Sequence, residues 1–147
     1  MVCLSVTLGT AFLPVTGLAQ PQLPTGCRNN ETRGCAQRLE LERVVEGLAG
    51  GPGNNTNVFV VDIRRPGIYT LETTRHRRPG GGIASLRFTV MDSEENRLLS
   101  GWLNGSRLER TDLIEISVPG EYYISVHYSS GSSQTPFTVR LRPRRQT

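Results

Sequence analysis

The sequence predicts an all-β fold, an antiparallel sandwich or barrel of about eight short strands, and three observations carry that expectation. Hydrophobic residues make up 36% of the 147 positions beside 16 Gly and 9 Pro, a balance that suits a turn-rich β domain because Gly and Pro are costly inside helices. Short alternating runs recur between turn signals at intervals of roughly a dozen residues. A Pro-Gly turn feeds directly into a strand twice, at Val118-Pro119-Gly120-Glu121-Tyr122-Tyr123 and at Arg65-Pro66-Gly67-Ile68-Tyr69. Pro presets φ at the first corner and Gly accepts a positive φ at the second, so the chain reverses before each strand begins.

Taken in order, Met1 to Val15 is apolar, and Gly17-Leu18-Ala19 offers the small residues a signal peptidase inspects. Residues 1–19 are expected to be a cleaved export signal, although no basic residue precedes the apolar run. The competing reading is a buried N-terminal strand or helix. A membrane span is not expected, because the run has fewer than 18 continuous apolar residues.

Residues 20–38 read as a tether carrying the Cys27 and Cys35 loop. Removal of the signal also removes Cys3 and leaves this even pair, which is expected to form a disulfide in an oxidising compartment. Such a small loop contributes about 2.5 kcal/mol at most in the chain-entropy model, a local staple. Ala36 to Glu46 is ambiguous, with helix-forming composition but with Leu39, Leu41 and Val45 also fitting a strand.

Gly47 to Asn57 is a loop, and Val58 to Ile63 is a strand burying Phe59, Val61 and Ile63. Ile68 to Thr74 places Tyr69, Leu71 and Thr73 on one face. Arg75 to Gly82 is a basic, Gly-rich excursion. Ala84 to Val90 turns Leu86, Phe88 and Val90 inward, Asp92 to Asn96 reverses the chain, and Arg97 to Leu103 carries Trp102, the only Trp. Asn104-Gly105 is the best hairpin signal. Arg107 to Thr111 is expected to pair weakly, and Leu113 to Val118 is a strand. From Tyr122 the even positions to Tyr128 are apolar or aromatic, Phe137 to Arg142 is the last strand, and 143–147 is a basic tail.

The order of Leu39-Glu40-Leu41, Val45-Glu46-Gly47-Leu48, Val58-Phe59-Val60-Val61, Pro66-Gly67-Ile68-Tyr69, Leu86-Arg87-Phe88-Thr89-Val90 and Pro119-Gly120-Glu121-Tyr122-Tyr123 resembles the bacterial pre-peptidase C-terminal domain family. The similarity runs from about Leu39 to Arg142. It implies a jelly-roll-like β-sandwich over 39–142, with a strand beginning at about Leu39 in place of a helix. It also implies a module found beside secreted hydrolases, with roles in secretion, localisation or polymer binding. The acidic residues that often stand where Asn54, Asn55 and Asn57 stand here are missing, and neutral amides are weak calcium ligands. No metal and no cofactor is therefore expected.

Chemistry is weakly marked. The only histidines, His76 and His127, carry no surrounding nucleophile signature, and an enzyme is not expected. All 17 basic residues are Arg, and the net charge is +4. This reflects either a preference for bidentate anion binding or merely a GC-rich genome replacing Lys codons. The loop Arg75-His76-Arg77-Arg78-Pro79-Gly80-Gly81-Gly82 is the most pointed signal. Arg75, His76, Arg77 and Arg78 are the expected contacts to a sulfated, phosphorylated or carboxylated partner, against the plainer reading of a solubilising loop. Trp102, Tyr123 and Tyr128 are a possible aromatic sugar platform, although a lone Trp in a sandwich is more often core. The expectation is a periplasmic or secreted binding or accessory module that takes a partner protein or an anionic envelope polymer, not nucleic acid. The alternative is a secreted inhibitor or chaperone-like factor acting on a hydrolase.

Overall fold

The computed structural model describes residues 23–50, 55–131 and 134–145, so the expected export signal at 1–19 lies outside the described residues. These form β1 (Gln37–Arg38), β2 (Val44–Ala49), β3 (Thr56–Ile63), β4 (Gly67–Arg75), β5 (Ser85–Met91), β6 (Arg97–Leu103), β7 (Glu109–Ile116), β8 (Gly120–Ser130) and β9 (Thr135–Pro143). A five-stranded sheet in the order β1-β3-β8-β5-β6 faces a four-stranded sheet in the order β2-β9-β4-β7. Every pairing is antiparallel except that of β1 with β3. The fold is a β-sandwich.

The strand expected from about Leu39 begins later, at Val44. Leu39 to Arg43 instead turn the chain between β1 and β2, which lie in different sheets: the Arg43 N–H donates to the Glu40 carbonyl and Glu42 takes a φ of 67°. The strand reading therefore holds over helix propensity only from Val44 onward. A second expectation changes at Asn104-Gly105. The turn forms, with the Arg107 N–H donating to the Asn104 carbonyl at 3.0 Å, yet β6 and β7 belong to opposite sheets. An Asn-Gly pair specifies a reversal and not the partner of the strand that follows. The one pairing between consecutive strands is β5 with β6, across the Asp92 to Asn96 reversal. There the Asp92 carboxylate accepts the N–H groups of Glu94 and Asn96.

Both Pro-Gly devices become tyrosine corners. The Tyr69 hydroxyl donates to the Arg65 carbonyl at 2.7 Å, and the Tyr122 hydroxyl donates to the Val118 carbonyl at 2.6 Å. Each closes the turn with a bond four residues back, the feature that fixes corners in other sandwiches. Gly67 and Gly120 hold φ values of 158° and 154°, which side chains with a β-carbon rarely adopt. Each ring is buried while its hydroxyl satisfies a carbonyl at the rim.

The core is the alternation made solid. Leu71, Val139 and Leu141 from one sheet meet Phe59, Phe88 and Ile124 from the other, all almost fully buried. Burial contributes roughly 1.5–3 kcal/mol for each large side chain. Phe59 and Phe137 pack edge to face with centroids 6.2 Å apart. Gly101 is required by close approach: a β-carbon there would fall 2.2 Å from the Phe88 ring and 2.9 Å from the Arg110 guanidinium carbon. Arg110 spans this gap, 5.4 Å from the Phe88 centroid, and grips Asp112 through Nε and Nη2 at 2.8 and 2.9 Å. The hydrogen bond to Asp112 raises the Arg110 pKa. Charged side chains half-buried on edge strand β7 discourage pairing with a foreign strand.

On the outer face of the smaller sheet Glu72 accepts from Arg140 at 2.5 Å and from Arg142 at 2.9 Å. Partial burial alone would raise its pKa, but the two guanidinium hydrogen bonds outweigh it and the net shift is downward. A carboxylate depressed in the folded state adds stability that is fully present above its unfolded pKa, about 4.3. That stability is lost as pH falls through the lower folded value. Stability of the wild type, followed by urea denaturation between pH 6 and pH 3, is expected to fall more steeply than that of Glu72→Gln. Tyr69→Phe and Tyr122→Phe are each expected to cost about 1 kcal/mol in the same assay at pH 7.

Candidate functional site

Of the four residues expected to contact a partner, one is part of the scaffold. Arg75 is 1% exposed. It is the last residue of β4, on the inward face with Tyr69, Leu71 and Thr73. Its Nε donates to the Arg107 carbonyl at 2.8 Å, Nη1 to the Ala84 carbonyl at 2.5 Å and Nη2 to the Gly105 carbonyl at 2.6 Å. Burial first, and the neighbouring Arg77 charge second, lower its pKa. Its guanidinium is thus committed to three carbonyls, and the expected role in binding is withdrawn for this residue.

What Arg75 does is hold the loops at one end of the sandwich. The Gly105 and Arg107 carbonyls belong to the crossing between β6 and β7, and Ala84 ends the crossing between β4 and β5. The Arg75 N–H also donates to the Leu108 carbonyl and the His76 N–H to that of Pro136. The Thr135 hydroxyl accepts from the Ala84 N–H at 2.8 Å. From this base the segment 76–82 stands exposed. Arg77 and Arg78 make no ion pair among the described residues, and His76 Nε2 lies 3.5 Å from the Thr138 hydroxyl.

At the same end of the sandwich, the outer face of the larger sheet gathers a second set. Strand register places Thr56 opposite His127, His127 opposite Arg87, and Arg87 opposite Trp102. Trp102, for which the sequence offered both an exposed platform and the core, is 40% exposed. It alternates with the buried Gly101 and Leu103, so strand phase turns it outward. The Arg87 guanidinium lies 5.7 Å from the Trp102 ring centre, and Thr56 Oγ1 is 2.8 Å from His127 Nδ1. The next row brings together the hydroxyls of Ser125, Thr89 and Ser100. The row beyond holds Tyr123, under the Arg33 guanidinium at 4.3 Å.

Arg33 is delivered by the disulfide loop. Cys27 and Cys35 are joined, as expected, which fits an extracellular location. The loop is more than a tether. The Val58 N–H donates to the Asn30 carbonyl at 2.7 Å, and Asn30 Nδ2 donates to the Val58 carbonyl at 3.2 Å. Arg33 Nη1 pairs with Glu95 at 2.9 Å while Nη2 donates to the Ser93 carbonyl at 2.7 Å. Two arginine–aromatic pairs thus flank a strip of hydroxyls on one sheet face. Two row steps separate them, about 13 Å at the usual rise of a strand. Tyr128 is not part of this face: it is partly buried against the core, with its hydroxyl donating to the Gly131 carbonyl. His76 and His127 pair with different threonines, Thr138 and Thr56. Among the described residues no three His, Cys, Asp or Glu side chains could hold one metal ion. Asn57 donates to the Leu48 carbonyl, and the Asn55 carbonyl accepts from the Tyr128 N–H.

Comparison with solved structures identifies the fold as that of a pre-peptidase C-terminal domain. The chain is similar to the pre-peptidase C-terminal domain of a collagenase from Bacillus anthracis, with a TM-score of 0.56 and 18% identity. The match covers 72% of this chain and 93% of that one. At that identity the likeness concerns the fold alone. No protein-family model matches the sequence, and no curated protein is significantly similar to it.

Arg75→Lys is expected to lower stability by about 3 kcal/mol, because an ammonium group cannot reproduce the fork and leaves buried carbonyls unsatisfied. Differential scanning calorimetry reads this as a lowered Tm. Arg77→Ala, on the exposed loop, is expected to leave Tm within about a degree of the wild type.

Proposed function

We propose that this chain is an exported, non-catalytic accessory module that binds an anionic envelope polymer through the outer face of the larger sheet and the basic loop at its end. One observation carries this reading: the row Thr56, His127, Arg87 and Trp102 lies open on that face, at the end where Arg77 and Arg78 project. An exposed indole offers a stacking surface for a sugar ring, and guanidinium groups without carboxylate partners offer bidentate hydrogen bonds to sulfate, phosphate or carboxylate. The pre-peptidase C-terminal fold and the disulfide support an exported module of this kind.

Interleaved hydroxyls fit the same ligand class. Ser125, Thr89 and Ser100 can each donate and accept, so they match a polyhydroxylated chain laid across the strands. Arg33, fixed on Tyr123 by its bonds to Glu95 and Ser93, forms the far border of the strip.

Retention of residues 20–147 on immobilised envelope polysaccharide, with heparin as a defined anionic probe, tests the reading. Wild-type protein is expected to bind in low salt and to elute as salt rises. Arg77→Ala/Arg78→Ala and, separately, Trp102→Ala should each weaken binding about tenfold, equivalent to ~1.4 kcal/mol. Unchanged retention of both variants would remove the assignment. Salt-resistant, stoichiometric capture of a single hydrolase would replace it with the role of an inhibitor or partner-specific factor.

A further inference from the structure

The opposite end of the sandwich, where the tyrosine corners lie, holds an open groove of about 620 Å³ between the β1–β2 turn, the β3–β4 turn and the end of β9. Its lining is positively charged. Arg38, Arg64, Arg65 and Arg144 face it, against the carboxylates of Glu40 and Asp62. Glu40 is engaged by Arg43 at 2.9 Å, and Asp62 by Arg64 at 3.3 Å. Arg65 and Arg144 have no acidic partner among the described residues. Ile68, 46% exposed, and Leu41 give the same groove an apolar stretch.

The backbone supplies the second observation. β1 covers the edge of β3 for only two residues, with Gln37 opposite Phe59 and Arg38 opposite Val60. The Leu39 N–H then donates to the Val60 carbonyl at 2.8 Å. Beyond this the chain turns away, and the Glu42 N–H reaches across to the Leu141 carbonyl. Backbone groups on a strand alternate sides with a period of two. The N–H and C=O of Asp62 therefore point to the same side as those of Val60, into the groove, where β1 no longer covers them. An uncovered edge is a template for another strand.

We propose that this groove binds an extended acidic peptide segment of another protein, added to the free edge of β3 beyond β1. Its carboxylates meet Arg65 and Arg144, and an apolar side chain of the segment rests on Ile68 and Leu41. A peptide is favoured over a polysaccharide because an open edge presents a paired amide donor and acceptor, which a second backbone matches. The excess of guanidinium over carboxylate sets the sign of the ligand. This site lies at the other end of the fold from Arg77 and Arg78, so it stands or falls independently of polymer binding.

Fluorescence anisotropy with a fluorescein-labelled hexapeptide of alternating Val and Glu tests the proposal. Saturable binding is expected, weakened at least tenfold by Arg65→Ala/Arg144→Ala, by Gln in place of Glu in the peptide, and by N-methylation of alternate peptide amides. Arg65 and Arg144 are exposed, and Tyr69 bonds only to the backbone of Arg65, so the double variant keeps the fold. Arg77→Ala/Arg78→Ala should bind the peptide as the wild type does. Absence of saturable binding at millimolar peptide, or equal affinity in the Arg65/Arg144 variant, would overturn the proposal. Equal affinity for the N-methylated peptide would overturn the strand-addition geometry. Displacement of the peptide by a heparin hexasaccharide at equal concentration would assign the groove to a sulfated polymer instead.

Discussion

A buried guanidinium, that of Arg75, with no carboxylate partner among the described residues holds the end of the sandwich that carries the candidate site. Consecutive strands in this chain pass from one sheet to the other at almost every connection, with β5–β6 the exception. Each crossing leaves the hydrogen-bonding ladder of one sheet before it joins the next, and its carbonyls need donors at the rim. Arg75 supplies three such donors from one rigid group, to Ala84, Gly105 and Arg107. Carbonyl dipoles can solvate the charge in place of water, and the fork geometry ties two crossings to the end of β4. At the opposite end Tyr69 and Tyr122 do the comparable job with one hydroxyl each.

This fixed end determines what the exposed basic loop can offer. With its base bonded to Leu108, Pro136 and Thr135, the loop starts and ends at fixed points of this end of the sandwich, and Arg77 and Arg78 stand exposed between them. Ordering that has already been achieved in the free protein need not be repeated on binding. The same holds for Arg33, which the disulfide loop, Glu95 and Ser93 hold over Tyr123 before any ligand arrives.

Much of this was legible in the sequence, and the failures are of two kinds. Leu86, Phe88 and Val90 reveal their strand by alternation, and Pro-Gly-x-Tyr reveals both corners. Arg75 was hidden by its neighbours, since an arginine beginning a run of basic residues resembles loop surface. The decisive signal was strand phase: Tyr69, Leu71, Thr73 and Arg75 are spaced by two, and the first three face inward. Phase would also have turned Trp102 outward, between Gly101 and Leu103, against the tendency of a lone Trp to be core. What the sequence could not disclose was partnership. Asn104-Gly105 marks a reversal whether the next strand pairs with the last or crosses to the other sheet. Leu39 to Glu46 carries a change of sheet at Glu42, a residue with no particular preference for a positive φ.

The account stands most directly on where a ligand touches the sandwich. Backbone amide NMR of residues 20–147, titrated with a heparin hexasaccharide in low salt, would map that contact without altering any side chain. The predicted result is a set of shift changes concentrated at Arg77, Arg78, Arg87, Ser100, Trp102 and His127, with Arg64 to Ile68 unmoved. Changes centred on Arg64 to Ile68, or saturating changes that avoid the outer face of the larger sheet, would contradict it.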